Sequence, residues 1–153
     1  MLSLARQIAT VVFLLLALRG FRWAYAAFLI FALLYFPAQV GFELHPKSCE
    51  LLVDARLAAF SFTNFPHIIL FALFFVVSAI HAIADASSMK SALVFAVIAT
   101  LAMGVMLELA EGATGSGHCR LRDLLPDTAG LLLGAAAVWL GSIVLVAVRD
   151  SRD

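Results

Sequence analysis

Long apolar runs broken by short polar connectors constrain this chain more than any other feature. Residues 65–84, 91–110 and 124–148 are each close to or above the roughly 20 residues needed to cross about 30 Å of hydrocarbon. Residues 23–41 form a fourth such run, apolar apart from Tyr25, Tyr35 and Gln39, with Arg22 and Trp23 at its start. A soluble domain of 153 residues would be close to half apolar. This one is 64% hydrophobic and 13% charged, with a mean hydropathy of +1.06. The expected fold is therefore all-α: a polytopic transmembrane helical bundle of four spans.

The first twenty residues form a separate N-terminal element. Ile8 to Leu18 is apolar but only eleven residues long, with Arg6 before it and Arg19 after it. That suits a short interfacial or partly inserted helix, with a fifth span as the alternative. Leu18-Arg19-Gly20-Phe21 offers no small-residue cleavage site. Residues 21–153 make up the transmembrane domain proper. Within it, Thr63 or Asn64 can cap the 65–84 helix, and Pro66 fits its first turn.

Ten basic and ten acidic residues balance to zero. No basic patch suggests a nucleic acid, so the lipid bilayer is the partner the composition implies. With four spans, Arg6, Arg19, Arg22, Lys90, Arg149 and Arg152 fall on one side of the membrane. Lys47, Arg56, Arg120 and Arg122 fall on the other. The excess places both termini, including the C-terminus, in the cytoplasm and turns the two longer connections outward. Cys49 and Cys119 then lie in the two same-sided loops, where an oxidising compartment would let them form a disulfide; two free thiols are the alternative.

The acids beside these runs carry the chemistry. Glu108 and Glu111 stand in the last turns of the third span; Asp123 and Asp127 stand at the start of the fourth. Carboxylates at the mouths of membrane helices are costly and need a reason. Thr100, Gly104, Glu108 and Glu111 share one helix face, and so do Asp127, Gly130, Gly134, Ala137 and Gly141. Gly130 and Gly134 form a GxxxG pair of the kind that lets two helix backbones approach. Gly104 and Gly141 extend the same packing role. On the second span His67, Phe71, Phe74, Ser78 and His81 line up.

The stripes together predict an outward polar rim of His67, Glu108, Glu111, Arg120, Arg122, Asp123 and Asp127. Structural readings compete with a ligand site at each position. Asp123 is expected as the helix cap. Glu108 can pair with Arg120 or Arg122 and simply fix the loop. His67 can bond a carbonyl, and His81 beside Asp85 reads as structural. No metal is expected, because neither HExxH nor paired-cysteine spacing occurs, and no cofactor motif is present. The lack of a nucleophile-elbow or phosphate-binding motif leans against an enzyme and assigns no catalytic residue.

These residues resemble the VanZ-like integral membrane proteins. That pattern has a histidine near the start of one span and Glu-x-x-Gln at the end of the next. An arginine-bearing loop follows, and Asp-x-x-x-Asn-x-x-Gly-x-x-x-Gly opens the last span. Here His67 lies in FPHIILFALF, Glu108-Leu-Ala-Glu111 follows, then Arg120 and Arg122, then Asp123, Asp127, Gly130 and Gly134 at the same internal spacing. The likeness covers roughly residues 60 to 145. Glu111 stands in place of the glutamine and Asp127 in place of the asparagine, so a ligand's charge preference would differ here. The resemblance implies a multi-pass protein of the bacterial cytoplasmic membrane acting at the cell envelope. The family takes its name from a protein linked to teicoplanin resistance, and glycopeptide resistance is implied by that name alone. The expected function is binding or positioning of an envelope or lipid headgroup component at the polar rim. The alternatives are an enzyme on a lipid-linked substrate, with His67 or Glu108 as its acid–base group, and a structural subunit assembled with other membrane proteins.

Overall fold

The computed structural model describes residues 2–35, 46–52, 54–84, 88–115 and 119–151. It is all-helical, with no strand among the described residues. The helices are α1 (Leu2–Ala17), α2 (Arg22–Tyr35), α3 (Ala55–Ser61), α4 (Phe65–Ala84), α5 (Met89–Thr114) and α6 (Leu124–Asp150), with a 3-10 turn at Leu121–Asp123 leading into α6. Among the described residues, three segments are long and apolar enough to cross a membrane: α4, α5, and Leu121–Asp150.

The N-terminal third is described in part. α2 is described over 14 residues, about 21 Å of helix at 1.5 Å per residue. Residues 36–41 of the expected span lie outside the described residues. α1 begins well before the apolar run and packs against α2 as a hairpin. Gly20 makes the turn with φ +84°, and a Cβ there would stand 3.2 Å from the Ala84 carbonyl oxygen. Both the left-handed backbone and the tight space reserve that position for glycine.

Local chemistry sets the ends of the other helices. Asp54 caps α3 by accepting from the Leu57 amide at 2.8 Å. Pro66 sits in the first turn of α4, where its missing N–H costs nothing. Ser88 caps α5 through the Ser91 amide. Gly115, at φ +61°, ends α5 in a left-handed C-cap whose N–H returns to Glu111 O. Asp85, expected beside His81, lies outside the described residues.

α4 is the centre of the bundle and makes its most extensive contact with α6, then with α5. The α4–α6 contact is backbone to backbone. A Cβ on Gly130 would overlap the Ile68 carbonyl oxygen, and one on Gly134 would lie 2.7 Å from Ala72 O. The GxxxG pair thus serves α4. Gly104 faces Asp127 and Leu124 of α6, but Gly141 has nothing within 4 Å. The close backbone contact made by this glycine stripe therefore ends at Gly134.

Two apolar clusters fill the interior. Phe71, Phe74, Met103 and Leu107 pack with Phe28, Leu29 and Leu33 of α2. Phe75, Ala79, Ala96 and Leu131 pack with Ala135 and Val138. Two buried hydroxyls bond inside their own helices: Ser78 Oγ donates to Phe74 O, and Thr100 Oγ1 to Ala96 O. Outward lie Ile69, Leu73, Ile98, Leu101, Leu132, Leu140 and Val144, the surface a membrane-crossing bundle shows to lipid tails.

His81 joins the N-terminal hairpin to α4. Its Nδ1–H donates to Ala17 O at 2.8 Å, and its ring stacks on Tyr25 with centroids 4.3 Å apart. Tyr25 in turn bonds Ser78 at 2.7 Å. This buried group ties α1 and α2 to the bundle and is structural in geometry.

Candidate functional site

The polar residues gather where α4 begins, α5 ends and α6 begins. His67 lies in the first turn of α4, and its Nδ1–H donates to Asp127 Oδ1 on α6 at 2.9 Å. Phe71, one turn on, lies near-parallel to the imidazole with ring centroids 6.1 Å apart. Asp127 is 4% exposed. Its second oxygen, Oδ2, has no hydrogen-bond partner among the described residues and faces Gly104, where a Cβ would come within 3.0 Å.

Glu108, 6% exposed, does not pair with an arginine side chain. Its Oε2 accepts the Arg120 backbone N–H at 2.7 Å. The cause is the chain path above it. Glu50 and Arg120 form an isolated parallel bridge, in which the Glu50 amide donates to Cys119 O and the Leu121 amide donates to Glu50 O. Residues 119 and 121 thus spend their backbone groups on Glu50, and the Arg120 N–H turns the other way, toward Glu108.

Cys49 and Cys119 are joined in a disulfide beside that bridge. The bridge rests on Gly112 of α5, where a Cβ would lie 3.1 Å from Cys119 Cβ and 3.3 Å from Cys49 Sγ. The Lys47 amide donates to Gly112 O and its Nζ to Gly115 O. The first long connection therefore caps the carbonyls that end α5.

The arginines find their carboxylate in this connection. Arg122 Nη1 donates to Glu50 Oε1 at 3.0 Å, and Arg120 Nε lies 3.4 Å from Glu50 Oε2. Arg122 is itself 7% exposed. The expectation that Glu108 takes an arginine is thus corrected: Glu50 takes both. Asp123 also departs from its expected role. It occupies the N-cap position of α6 with helical backbone angles and makes no cap hydrogen bond; the 3-10 turn leads directly into the helix, so the N-terminal amides are not presented to it. Its Oδ1 instead accepts from Ser61 Oγ of α3 at 3.4 Å. Glu111 is half-buried one turn beyond Glu108, and with Asp123 it acts electrostatically on both His67 and Glu108.

The predicted rim residues thus meet at one end of the bundle, divided into three linked pieces: His67–Asp127, Glu108–Arg120 N–H, and Arg120 and Arg122 with Glu50. Glu50 and Ser61 are the members that sequence reasoning missed. The available signal for Glu50 was its place next to Cys49, given that Arg120 is next to Cys119. No group of three or more His, Cys, Asp or Glu among the described residues is arranged to hold a metal ion. No family model matches the chain, and no curated protein or solved structure matches it either.

Proposed function

We propose that this chain is a VanZ-like, multi-pass protein of the bacterial cytoplasmic membrane whose outward polar end binds or positions an envelope or lipid headgroup component. The observation that carries this reading is the convergence of three nearly buried charged side chains, Glu108, Asp127 and Arg122, at one end of membrane-crossing helices. Withdrawing ionisable groups from water at a membrane helix end is costly, so their place there calls for more than packing. Asp127 even keeps an oxygen without a hydrogen-bond partner among the described residues.

Two features support an orientation for this reading. The disulfide fits an oxidising compartment at the Glu108 end, and Arg19, Arg22, Lys90, Arg149 and Arg152 flank the opposite end. The C-terminus is then cytoplasmic. In this reading residues 23–41 complete a fourth span, and α1 lies in the interface or crosses beside it.

One observation favours an enzyme as a second reading. With Nδ1 of His67 engaged by Asp127, Nε2 is left as the ring's acid–base atom, the arrangement general acid–base catalysis uses. The first test replaces Glu108 by Gln and Asp127 by Asn in a host lacking the protein. Normal protein level with a formed disulfide but lost complementation of an envelope phenotype, including glycopeptide sensitivity, supports a site. Loss of the protein itself assigns the residues to folding.

A further inference from the structure

The two arginines offer far more hydrogen-bonding capacity than the protein uses. A guanidinium carries five N–H donors in a planar fork. Arg122, although almost buried, gives one side-chain bond among the described residues, to Glu50. Among the described residues, the Arg120 side chain makes the 3.4 Å ion pair through Nε to the same carboxylate. One carboxylate is shared by two cations, and it is the most exposed of the three side chains: 42%, against 31% for Arg120 and 9% for Arg122.

The nearby acids are already engaged. Glu108 holds the Arg120 backbone N–H, Asp127 holds His67, and Asp123 holds Ser61. Among the described residues, Glu50 is the carboxylate that faces the guanidinium groups. Its backbone is fixed on both sides by the bridge to Cys119 and Leu121 and by the disulfide next to it. The side chain, by contrast, can rotate into water without moving the loop. Carboxylates and phosphates satisfy the same arginine fork, and a phosphate brings more acceptor oxygens.

We propose that Arg120 and Arg122 form a seat for a phosphate group, and that the Glu50 carboxylate fills this seat until a phosphate-bearing headgroup displaces it. The inference rests on the reading of the polar end as a headgroup site and adds its chemistry: a phosphate ester entering at the start of the Leu121–Asp150 segment.

The test is native mass spectrometry of the detergent-solubilised full chain titrated with phosphatidic acid, and separately with inorganic phosphate. Phosphatidylcholine, whose phosphate is shielded by choline, is the reference lipid. E50Q keeps the shape of the side chain and removes the competing charge, so phosphatidic acid should bind roughly tenfold tighter than to wild type. R120Q should weaken it by a similar factor, and its partly exposed position keeps the variant foldable. An intact disulfide serves as the folding control. Inorganic phosphate bound with the same dependence on both variants, and as tightly as the lipid, supports the seat and assigns it to a soluble source. Unchanged or weaker binding in E50Q overturns the proposal, as does unchanged binding in R120Q. If lipid retention then depends on Glu108 and Asp127 but not on Glu50 or Arg120, the headgroup reading stands without the phosphate seat. If it depends on none of them, both fall.

Discussion

His67 Nδ1 and Asp127 Oδ1 stand 2.9 Å apart across the α4–α6 contact, one turn from the point where Gly130 brings the two backbones together. The bond therefore crosses a contact too close for either helix to shift independently. His67→Ala would leave both oxygens of a buried carboxyl without a donor among the described residues, at a cost of about 1–3 kcal/mol. Asp127→Ala in the H67A background should cost much less than in wild type, because the partner is already gone. Unfolding in mixed micelles, followed by circular dichroism, measures both. Additive losses would show that the two side chains act separately.

Gly130→Ala and Gly134→Ala should each disrupt the bundle, since the added methyl meets the carbonyl oxygens of Ile68 and Ala72. Gly141→Ala has open space around it and should change stability by no more than about 0.5 kcal/mol. The same thermal melt in detergent ranks the three. A G141A variant as damaged as G130A would mean that α6 is in close contact there with something beyond this chain.

The disulfide closes a 70-residue separation. The loop-entropy estimate for an unfolded soluble chain of that length is about 4 kcal/mol. In a membrane this is an upper bound, because helices that stay inserted after unfolding already limit the open chain. C49S/C119S should thus lower stability by less than that, and should also loosen the Glu50–Arg120 bridge. Gly112→Ala should slow disulfide formation, since its methyl would press on Cys119 Cβ at 3.1 Å. Alkylation followed by mass analysis without reductant should modify no thiol in the wild type.

α4 was readable almost to the residue, because Pro66 and the apolar run to Ala84 mark both ends of one helix. α5 runs further than its apolar core, from Met89 to Thr114, since Ser88 and Gly115, rather than hydropathy, set its limits. The depth of Glu108 was also visible from spacing. Its partner was not, because the Arg120 N–H is aimed by a backbone bridge to Glu50, and Glu50 sits in a long connection without periodicity. Asp123 has the residue type of a cap, but a 3-10 turn takes away the geometry a cap needs. Sequence spacing conveys which residues share a helix face; it does not convey which loop crosses that face.

The most direct test of the account compares Glu108→Gln with wild type in the full chain purified from bacterial membranes, reading lipid retention and thermal stability in the same samples. Glutamine keeps an oxygen to accept the Arg120 N–H, so the fold should survive with its disulfide and melting behaviour intact. The headgroup-binding account predicts that the variant nonetheless loses co-purifying lipid that the wild type retains. Equal lipid retention in the two, or a collapse of the fold in E108Q, would contradict it and leave Glu108 as a structural tie between α5 and the loop above it.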